Sequence, residues 1–313
     1  MKYLLKRVGF MVITLFAVCA LTFFLMNIIP GGTAEMILKY TFVGLENSVS
    51  QEQINQISSR YNLDDPLYIQ FFRWIKEVVV TGNIGTSYVF KKPVLYLLAL
   101  RLPATIQLAG VSMVIAIIIG VSLGIYSALK ENKISDHILR IVTLFGVSMP
   151  GFWIALILIL IFSLKMKLVP VSGYGSLENL ILPSVALSLH SIAAIMRVTR
   201  ASMLETMGQE YIRFAKAKGL PIWKIVTRHA FKNAMLPVVT VIGFQMGSLL
   251  GGTVVIEKIF AWPGIGSLLV DSISARDLPV VQGCILAIVT MYLFVNFFVD
   301  MLYTCLDPRI RYG

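Results

Sequence analysis

The sequence predicts an all-α protein that crosses a membrane six times, with both termini in the cytoplasm. Hydrophobic residues make up 57% of the 313-residue chain and charged residues only 14%, which is typical of a polytopic membrane protein. Six windows without a charged residue are close to, or longer than, the roughly 20 residues that a spanning helix needs. These windows are 8–34, 102–129, 141–164, 179–196, 233–256 and 278–299.

The first window is preceded by Lys2, Lys6 and Arg7, as a secretory signal peptide would be. Its apolar run exceeds the roughly 7–15 residues of such a peptide's core, so we predict a retained helix that begins inside. The predicted cytoplasmic segments then hold 16 basic and 5 acidic residues, whereas the outer segments hold 11 and 10. Because Lys and Arg collect on the cytoplasmic side, the net charge of +11 indicates membrane topology and not nucleic-acid binding.

The segment 31–101, between the first two windows, is predicted to be a helical insert on the outer side. Ser50 and Gln53 have the spacing of a capping box at the start of one helix. Apolar residues then recur at helical spacing from Phe71 to Val79 and indicate a second helix. Both helices are amphipathic, so we expect them to lie over the membrane domain without crossing it.

Three proline positions predict breaks further along the chain. Pro103 is expected to open the second spanning helix, and Met149–Pro150 is expected to bend the third, because proline lacks a backbone donor. The turn Trp262–Pro263–Gly264 precedes apolar residues at helical spacing, which predicts a short helix at the outer rim. Cys19, Cys284 and Cys305 lack CxxC spacing and are interpreted as small core residues.

The longest predicted cytoplasmic loop, 197–232, is strongly basic and carries only Glu205 and Glu210 as acids. Its sequence predicts two short helices separated at Gly219–Leu220–Pro221, because a glycine just past a helix end, followed two residues later by proline, commonly ends a helix. Such a helical elbow is expected to face a soluble partner. Its basic residues are Arg197, Arg200, Arg213, Lys216, Lys218, Lys224, Arg228 and Lys232.

Catalytic and metal-binding signatures are missing from the sequence. We find no GxxxxGK[ST] phosphate loop, no HExxH and no GxSxG. His137, His190 and His229 do not have ligand spacing. We therefore predict no catalytic residue, no metal site and no cofactor on this chain, so that energy for any transport must come from a partner or a gradient.

The run QEYIRFAKAKGLPIWKIVTRHAFKNAMLP in the basic loop resembles the EAA loop of the membrane subunits of ATP-binding-cassette importers. Aligned at Gly219, only Ala215 and Gly219 match the general pattern literally. The runs YIRFAKAKGL and RHAFKNAMLPVVTVIG are similar to the branch that transports dipeptides, oligopeptides and nickel. The same branch is indicated by GTSYVFKKPV, LPATIQLAG, GVSMPGFW, LVPVSGYGS, FAWPGIG, ARDLPVVQG and LDPRIRYG.

The resemblance implies a single permease domain over 1–313 in the cytoplasmic (inner) membrane. It implies import of dipeptides, oligopeptides or nickel, with ATP and Mg bound by two ATP-binding partner subunits. A second homologous permease subunit, an extracytoplasmic solute-binding protein and membrane lipid are the other implied partners. Loop 197–232 would be the coupling loop, and its implied ATPase-contacting residues are Glu210, Tyr211, Arg213, Phe214, Ala215, Lys216, Ala217, Lys218, Gly219 and Leu220.

In that role, small residues such as Ala215 and Ala217 would let the helix backbone press into a groove of the ATPase subunit. Tyr211 and Phe214 would be apolar anchors, while the cations would steer the helix to acidic rims. The simpler interpretation is a basic loop that only obeys positive-inside sorting or touches anionic lipid. A second class, a gradient-driven carrier or channel acting alone, usually needs ionisable groups inside its spans, and Asp300, placed within the last span, is the only in-span acid that the sequence predicts.

Polar residues within the windows are candidates for the translocation path, although most are expected to form hydrogen bonds between helices. His190 is the single imidazole among them and would be a metal ligand only if nickel is the solute. Asp300 is expected to pair with Arg309 or Arg311. The sequence leaves peptide and nickel open. The path candidates are Gln107, Ser148, Met149, His190, Gln245 and Ser248.

Overall fold

A computed structural model describes residues 2–28, 38, 51–60 and 64–306 of the chain. The described residues are mainly helical and contain no strand, although one isolated bridge pairs Thr86 with Pro93. Four of their helices are long and apolar enough to cross a membrane, and a bent pair makes five if it counts as one span. The predicted all-helical, polytopic class is thus confirmed, while six spans and the orientation of the termini stay predictions.

The helices are numbered in chain order. In the described ranges the α-helices with defined bounds are α1 (Lys2–Ile28), α2 (Gln51–Arg60), α3 (Leu67–Thr81), α4 (Val94–Leu129), α5 (Ile134–Ser148), α6 (Gly151–Leu158), α7 (Leu177–Met207), α8 (Glu210–Ala217), α9 (Ile222–Ile225), α10 (Phe231–Ile259), α11 (Ile265–Ser274) and α12 (Leu278–Leu306). A π-helical segment, Ile159–Lys165, extends α6, and another, Val226–Ala230, joins α9 to α10.

The chain divides into two compact units, and the first comprises Met1–Pro103 with Pro263–Leu293. In this unit α3 packs on α1, where the buried ring of Phe71 meets Cys19 and Phe23. A separate apolar cluster joins the start of α4 to α11 and α12 and includes Cys284. The buried positions of Cys19 and Cys284 confirm that these cysteines are core residues; the side chain of Cys305 lies outside the described part.

Two helices predicted in the insert are present as α2 and α3, and the short helix predicted after Trp262–Pro263–Gly264 is present as α11. Ser50 of the capping box lies outside the described residues. The prediction for Pro103 is wrong, because α4 begins at Val94 and contains Pro103 in its interior. Burial of Val94 and Leu98 in the first unit supports this extra helical stretch, which outweighs the one backbone hydrogen bond that proline removes.

The second unit comprises Ala104–Trp262 with Phe294–Gly313 and is built around α7. Helix α7 packs against α5, α6 and α10, and 72% of its apolar window is buried by protein. Much of this helix therefore meets other helices and not lipid. Close approach of α4 to α7 is possible because Gly120 and Gly124 lie against Ile195 and Thr199.

The bend predicted at Met149–Pro150 is confirmed, and it is larger than a kink. The helix direction changes by 108° between Ile134–Ser148 and Gly151–Lys165, so the third window is not one straight helix. Met149 is extended, with φ −83° and ψ 132°, because the proline ring disfavours a helical conformation in the residue before it. Proline also has no N–H with which to continue the helix.

The basic loop contains α8, which is followed by Gly219 at φ +76°. A glycine takes this left-handed conformation without strain, and Pro221 then precedes α9. The predicted break between two helices is therefore confirmed. The second element is not a separate short helix, however, because Ile222–Ile259 forms one continuous helical stretch.

Candidate functional site

The inner face of α8 packs on its own chain. Ile212 is fully buried and Ala215 nearly so, in a cluster with Met203 of α7 and Ile225 of α9. Leu220, after the helix, packs against the same cluster. Helix α8 is therefore attached to the end of α7 and to the start of the α9–α10 stretch by apolar contacts, which fix its orientation.

The outer face of α8 and the adjoining start of α9 carry four exposed large apolar side chains. Phe214 is 63% exposed and Trp223 65%, and Tyr211 and Ile222 are also exposed. The Nζ atom of Lys218 lies 4.7 Å from the centre of the Phe214 ring, and Asn233 Nδ2 donates to Tyr211 Oη at 2.8 Å. We call Tyr211, Phe214, Ile222 and Trp223 the outer aromatic patch.

Exposed cations accompany the outer aromatic patch on α8 and directly after it: Arg213, Lys216 and Lys218 are all exposed, and Lys218 lies over the Phe214 ring. Contiguous exposed apolar groups with a charged rim are typical of a protein–protein interface. The sequence predicted the patch residues Tyr211 and Phe214 but missed Ile222 and Trp223. The sequence held no clear signal for their exposure, because Ile225 in the same segment is apolar too and is buried.

The structure separates the small residues that were expected to face a partner together. Ala215 belongs to the buried inner face, so its predicted place in a partner's groove is not supported by this structure. Ala217 and Gly219 are exposed, as is Glu210. No atom lies within 4 Å of the position that a Cβ on Gly219 would take, so the backbone there is open to close approach.

A buried ion pair lies beside this site and was missed in the sequence. Arg200 of α7 donates through Nε and Nη2 to the two carboxylate oxygens of Asp136, each at 2.7 Å. Ser127 Oγ and the backbone N–H of Asn132 donate to the same carboxylate. Asp136 is fully buried. No local pattern could reveal the pair, because its partners are far apart in the chain.

Asp136 lies in the charged segment 130–140, outside the uncharged windows. The guanidinium of Arg200, through its hydrogen bonds, is the main reason that the pKa of the Asp136 carboxyl lies well below its usual range. The carboxyl is therefore ionised at neutral pH. A fully buried charge is tolerated here because its oxygens are satisfied by hydrogen bonds.

A cavity of about 250 Å³ lies between the start of α6 and the helices α7 and α10. Its polar lining consists of His190, Ser191 and Ser248, and its remaining lining is apolar. The start of α6, at Gly151 and Phe152, forms one wall. The break between α5 and α6 therefore borders a cavity whose lining is partly polar and partly apolar.

The predicted path residues are only partly brought together. His190 and Ser248 line the cavity, and buried Gln245 adjoins it by accepting a hydrogen bond from Ser191 at 3.3 Å. Ser148 and Met149 lie at the helix break directly before the cavity wall. Gln107 is exposed on α4 and does not line the cavity.

One prediction about intramembrane acids is wrong. Glu257 was placed beyond the fifth window, but it lies in the long helix α10 and is fully buried, and Thr105 donates to its Oε1 at 2.7 Å. Packing of α4 on α10 hides an acid that the charge-based window had excluded. The side chain of Asp300, and Arg309 and Arg311, lie outside the described residues.

Family comparisons cover almost the whole chain. Residues 120–312 match the family described as "Binding-protein-dependent transport system inner membrane component". Residues 1–109 match the family of the corresponding N-terminal component.

Individual relatives align over their full length. The dipeptide transport system permease of Alkalihalophilus pseudofirmus is 36% identical, over 100% of both chains. A putative peptide transport system permease of Brucella abortus is 39% identical over 99% of this chain and 98% of its own. The glutathione transport system permease of Escherichia coli K12 is 38% identical, over 100% of this chain and 99% of its own.

The fold also resembles a solved structure. The chain aligns with an inward-facing MetNI methionine ABC transporter with a TM-score of 0.54 and 17% sequence identity. The alignment covers 68% of this chain and 97% of that chain. At this identity the likeness concerns the fold alone.

Proposed function

Because the chain belongs to the inner-membrane permease subunits of the peptide and nickel family of ATP-binding-cassette importers, we propose that its solute is a short peptide. This choice rests on the names of the relatives, which describe transport of dipeptides, peptides and glutathione. Glutathione is itself a tripeptide. Permeases of this family are not enzymes. ATP hydrolysis takes place on separate subunits, so ATP and Mg belong to those partners.

The proposed arrangement is a complex of this permease, a second homologous permease, two ATP-binding subunits and an extracytoplasmic solute-binding protein. The chain forms one permease domain over 1–313, with six spans and both termini inside. Segment 31–101 lies outside and segment 197–232 lies inside. The distribution of Lys and Arg supports this orientation, and the family description supports dependence on a binding protein.

The outer aromatic patch is the proposed contact with an ATP-binding subunit. Its exposed rings supply apolar anchors, while Arg213, Lys216 and Lys218 supply complementary charge for an acidic rim. The inner face, through Ile212 and Ala215, holds α8 to the bundle. Rigid-body movement of the ATP-binding subunits then reaches the spans through α8, with different contacts in each state.

Replacing Phe214 with serine tests this contact. We expect retention of the ATP-binding subunits on the purified permease to fall by about tenfold, because central aromatic anchors dominate protein interfaces. Quantitative pull-down from detergent measures the retained subunits. The matched control is Phe72→Ser, which removes an equally exposed ring from α3.

Equal retention by Phe214→Ser and Phe72→Ser would contradict the proposed contact. Gly219→Arg provides a second variant at the open backbone next to the patch. It is expected to reduce retention in the same way, since an arginine side chain there occupies the space of the partner and also strains a left-handed backbone.

The cavity bordered by the α5–α6 break is the proposed part of the translocation path on this chain. It combines polar groups at His190 and Ser248 with apolar walls, as a site for peptides of varied side chains requires. The helix break gives the spans a point at which their angle can change. Gln245, Ser148 and Met149 adjoin this path.

Filling the cavity is expected to block transport without breaking the complex. Ser248→Trp should lower uptake of a radiolabelled dipeptide into proteoliposomes at least about tenfold, because the indole occupies most of the volume. The matched control is Thr240→Trp, an exposed position on the same helix that does not line the cavity. Unchanged uptake in Ser248→Trp would place the path elsewhere.

The choice of solute and the source of energy are tested in one reconstitution. The full complex is expected to accumulate labelled dipeptide in the presence of ATP, and labelled nickel ion should not accumulate. Nickel uptake without dipeptide uptake would overturn the peptide assignment. Uptake by this polypeptide alone without ATP would instead favour the second class, a gradient-driven carrier or channel.

A further inference from the structure

We propose that the Asp136–Arg200 ion pair is the joint that transmits movement of α8 to the broken helix pair α5–α6. This positioning role rests on the coupling function proposed above. Neither residue touches solute or nucleotide in this role. The pair acts by fixing the position and orientation of the start of α5 relative to the end of α7.

The geometry of the pair is that of a rigid connection. Two parallel hydrogen bonds of 2.7 Å join the guanidinium of Arg200 to both oxygens of Asp136, and bidentate pairs fix orientation as well as distance. Ser127 at the end of α4 and the backbone of Asn132 complete the acceptor sites. The carboxylate thus holds α4, the α4–α5 turn, α5 and α7 together.

Helix α7 connects this joint to the coupling surface. Met203 lies one turn after Arg200 and is fully buried against Ile212 and Ala215 of α8. Residues three apart lie on neighbouring parts of one helix face. A displacement of α8 therefore displaces the end of α7 that carries Arg200.

Helix α5 connects the joint to the cavity. Asp136 lies in the first turn of α5, and the helix ends at the extended residue Met149. Helix α6 then begins at Gly151, which lines the cavity. A continuous route of packed and hydrogen-bonded elements thus runs from the outer aromatic patch to the proposed path, and the break at Met149–Pro150 is where the angle can change.

Arg140 is also near the carboxylate but does not form this joint. Its Nε lies 3.9 Å from Asp136 Oδ2, and its side chain is 45% exposed. An exposed contact of this length is screened by solvent and imposes little orientation. The route therefore passes through Arg200 and not through Arg140.

A neutral double variant, Asp136→Asn with Arg200→Gln, tests the joint without leaving a buried charge unpaired. Removing both charges together avoids the penalty that a single substitution would impose. We expect the purified complex to keep its ATP-binding subunits and its ATPase activity. The number of dipeptides imported per ATP hydrolysed should fall by at least about fivefold, a typical coupling effect between distant sites.

Arg200→Lys keeps the charge but removes the bidentate geometry, since the lysine ammonium is a compact point charge without the planar fork of donors that arginine has. We expect it to lower the transport-to-hydrolysis ratio about threefold, with Arg197→Lys, an exposed position on the same helix, as the matched control without effect. An unchanged ratio in both the double variant and Arg200→Lys would overturn the proposal.

Loss of the ATP-binding subunits from the double variant would also overturn the proposed joint, because the pair would then serve assembly. Failure of the underlying coupling function has a different signature. In that case the unsubstituted chain would show no ATP-dependent uptake, or Phe214→Ser would leave retention unchanged. The two failures are therefore distinguishable in the same set of preparations.

Discussion

Replacing Asp277 with alanine is expected to release the turn 86–93 from the first compact unit and to destabilise that unit strongly. Asp277 is almost fully buried and accepts a hydrogen bond from the hydroxyl of Ser87. The backbone N–H groups of Tyr88 and Val89 donate to the same carboxylate at 3.1 and 3.2 Å. Three donors in a short segment therefore depend on one acceptor.

The expected size of the effect follows from the cost of leaving buried donors without a partner. Such a group costs roughly 1–3 kcal/mol when it is fully buried. Ser87 is buried and Tyr88 and Val89 are half-buried, so alanine should lower the local stability by about 2–3 kcal/mol. Ser87 also accepts from the backbone N–H of Phe90 at 2.8 Å, so Phe90 is connected to the Asp277 carboxylate through Ser87. We expect the turn to open as one unit.

Hydrogen–deuterium exchange of the peptide containing 86–93, in detergent, measures this opening. Its amides should exchange about 30- to 150-fold faster in Asp277→Ala, which corresponds to the free-energy cost above. Asp271→Ala removes an exposed carboxylate from α11 in the same unit and is the control. Slow exchange of the turn in Asp277→Ala would show that other contacts hold it.

Replacing Gly124 with alanine is expected to destabilise the second unit because α4 and α7 have no space between them. A Cβ on Gly124 would lie 2.5 Å from Thr199 Cβ and 2.8 Å from the backbone oxygen of Met196. The backbone oxygen belongs to a buried helix and cannot move aside independently. Overpacking of this kind costs about 1–3 kcal/mol.

Gly110→Ala, in the same helix, is the matched control with the opposite expected sign. No atom lies within 4 Å of the Cβ position at Gly110, so alanine there should be neutral or stabilising by up to about 1 kcal/mol. The apparent melting temperature of the detergent-solubilised protein measures both effects. Equal melting temperatures for the two variants would contradict the close approach of α4 and α7.

Secondary structure in this chain was predictable wherever the signal was local. The periodicity from Phe71 to Val79 and the helix end at Gly219 each correspond to an observed feature. The apolar windows fall on observed helices, although the third falls on the broken pair α5–α6. The start of α4 was not predictable, because Pro103 argues for a later start. Contacts of Val94 and Leu98 with distant parts of the first unit decide it.

The candidate site shows the same division. Motif resemblance located α8 and its exposed rings, yet it could not assign Ala215 to the inner face, since a short helix has no periodic pattern long enough to define its buried side. Glu257 and Asp136 were missed for a related reason. Windows and loops that are defined by charged residues place every acid in a solvent-exposed segment, although an acid that is paired in the fold can be buried.

The sequence by itself determined that this is a helical membrane protein, where its apolar segments lie and which loop is basic, because these properties depend on composition and short-range order. Motif resemblance placed it among the permeases. Tertiary structure alone decided which face of α8 is exposed, that Arg200 pairs with the ionised Asp136, and where a cavity opens beside the helix break. Those features arise from contacts between residues far apart in the chain, and their free energy exists only once the helices pack.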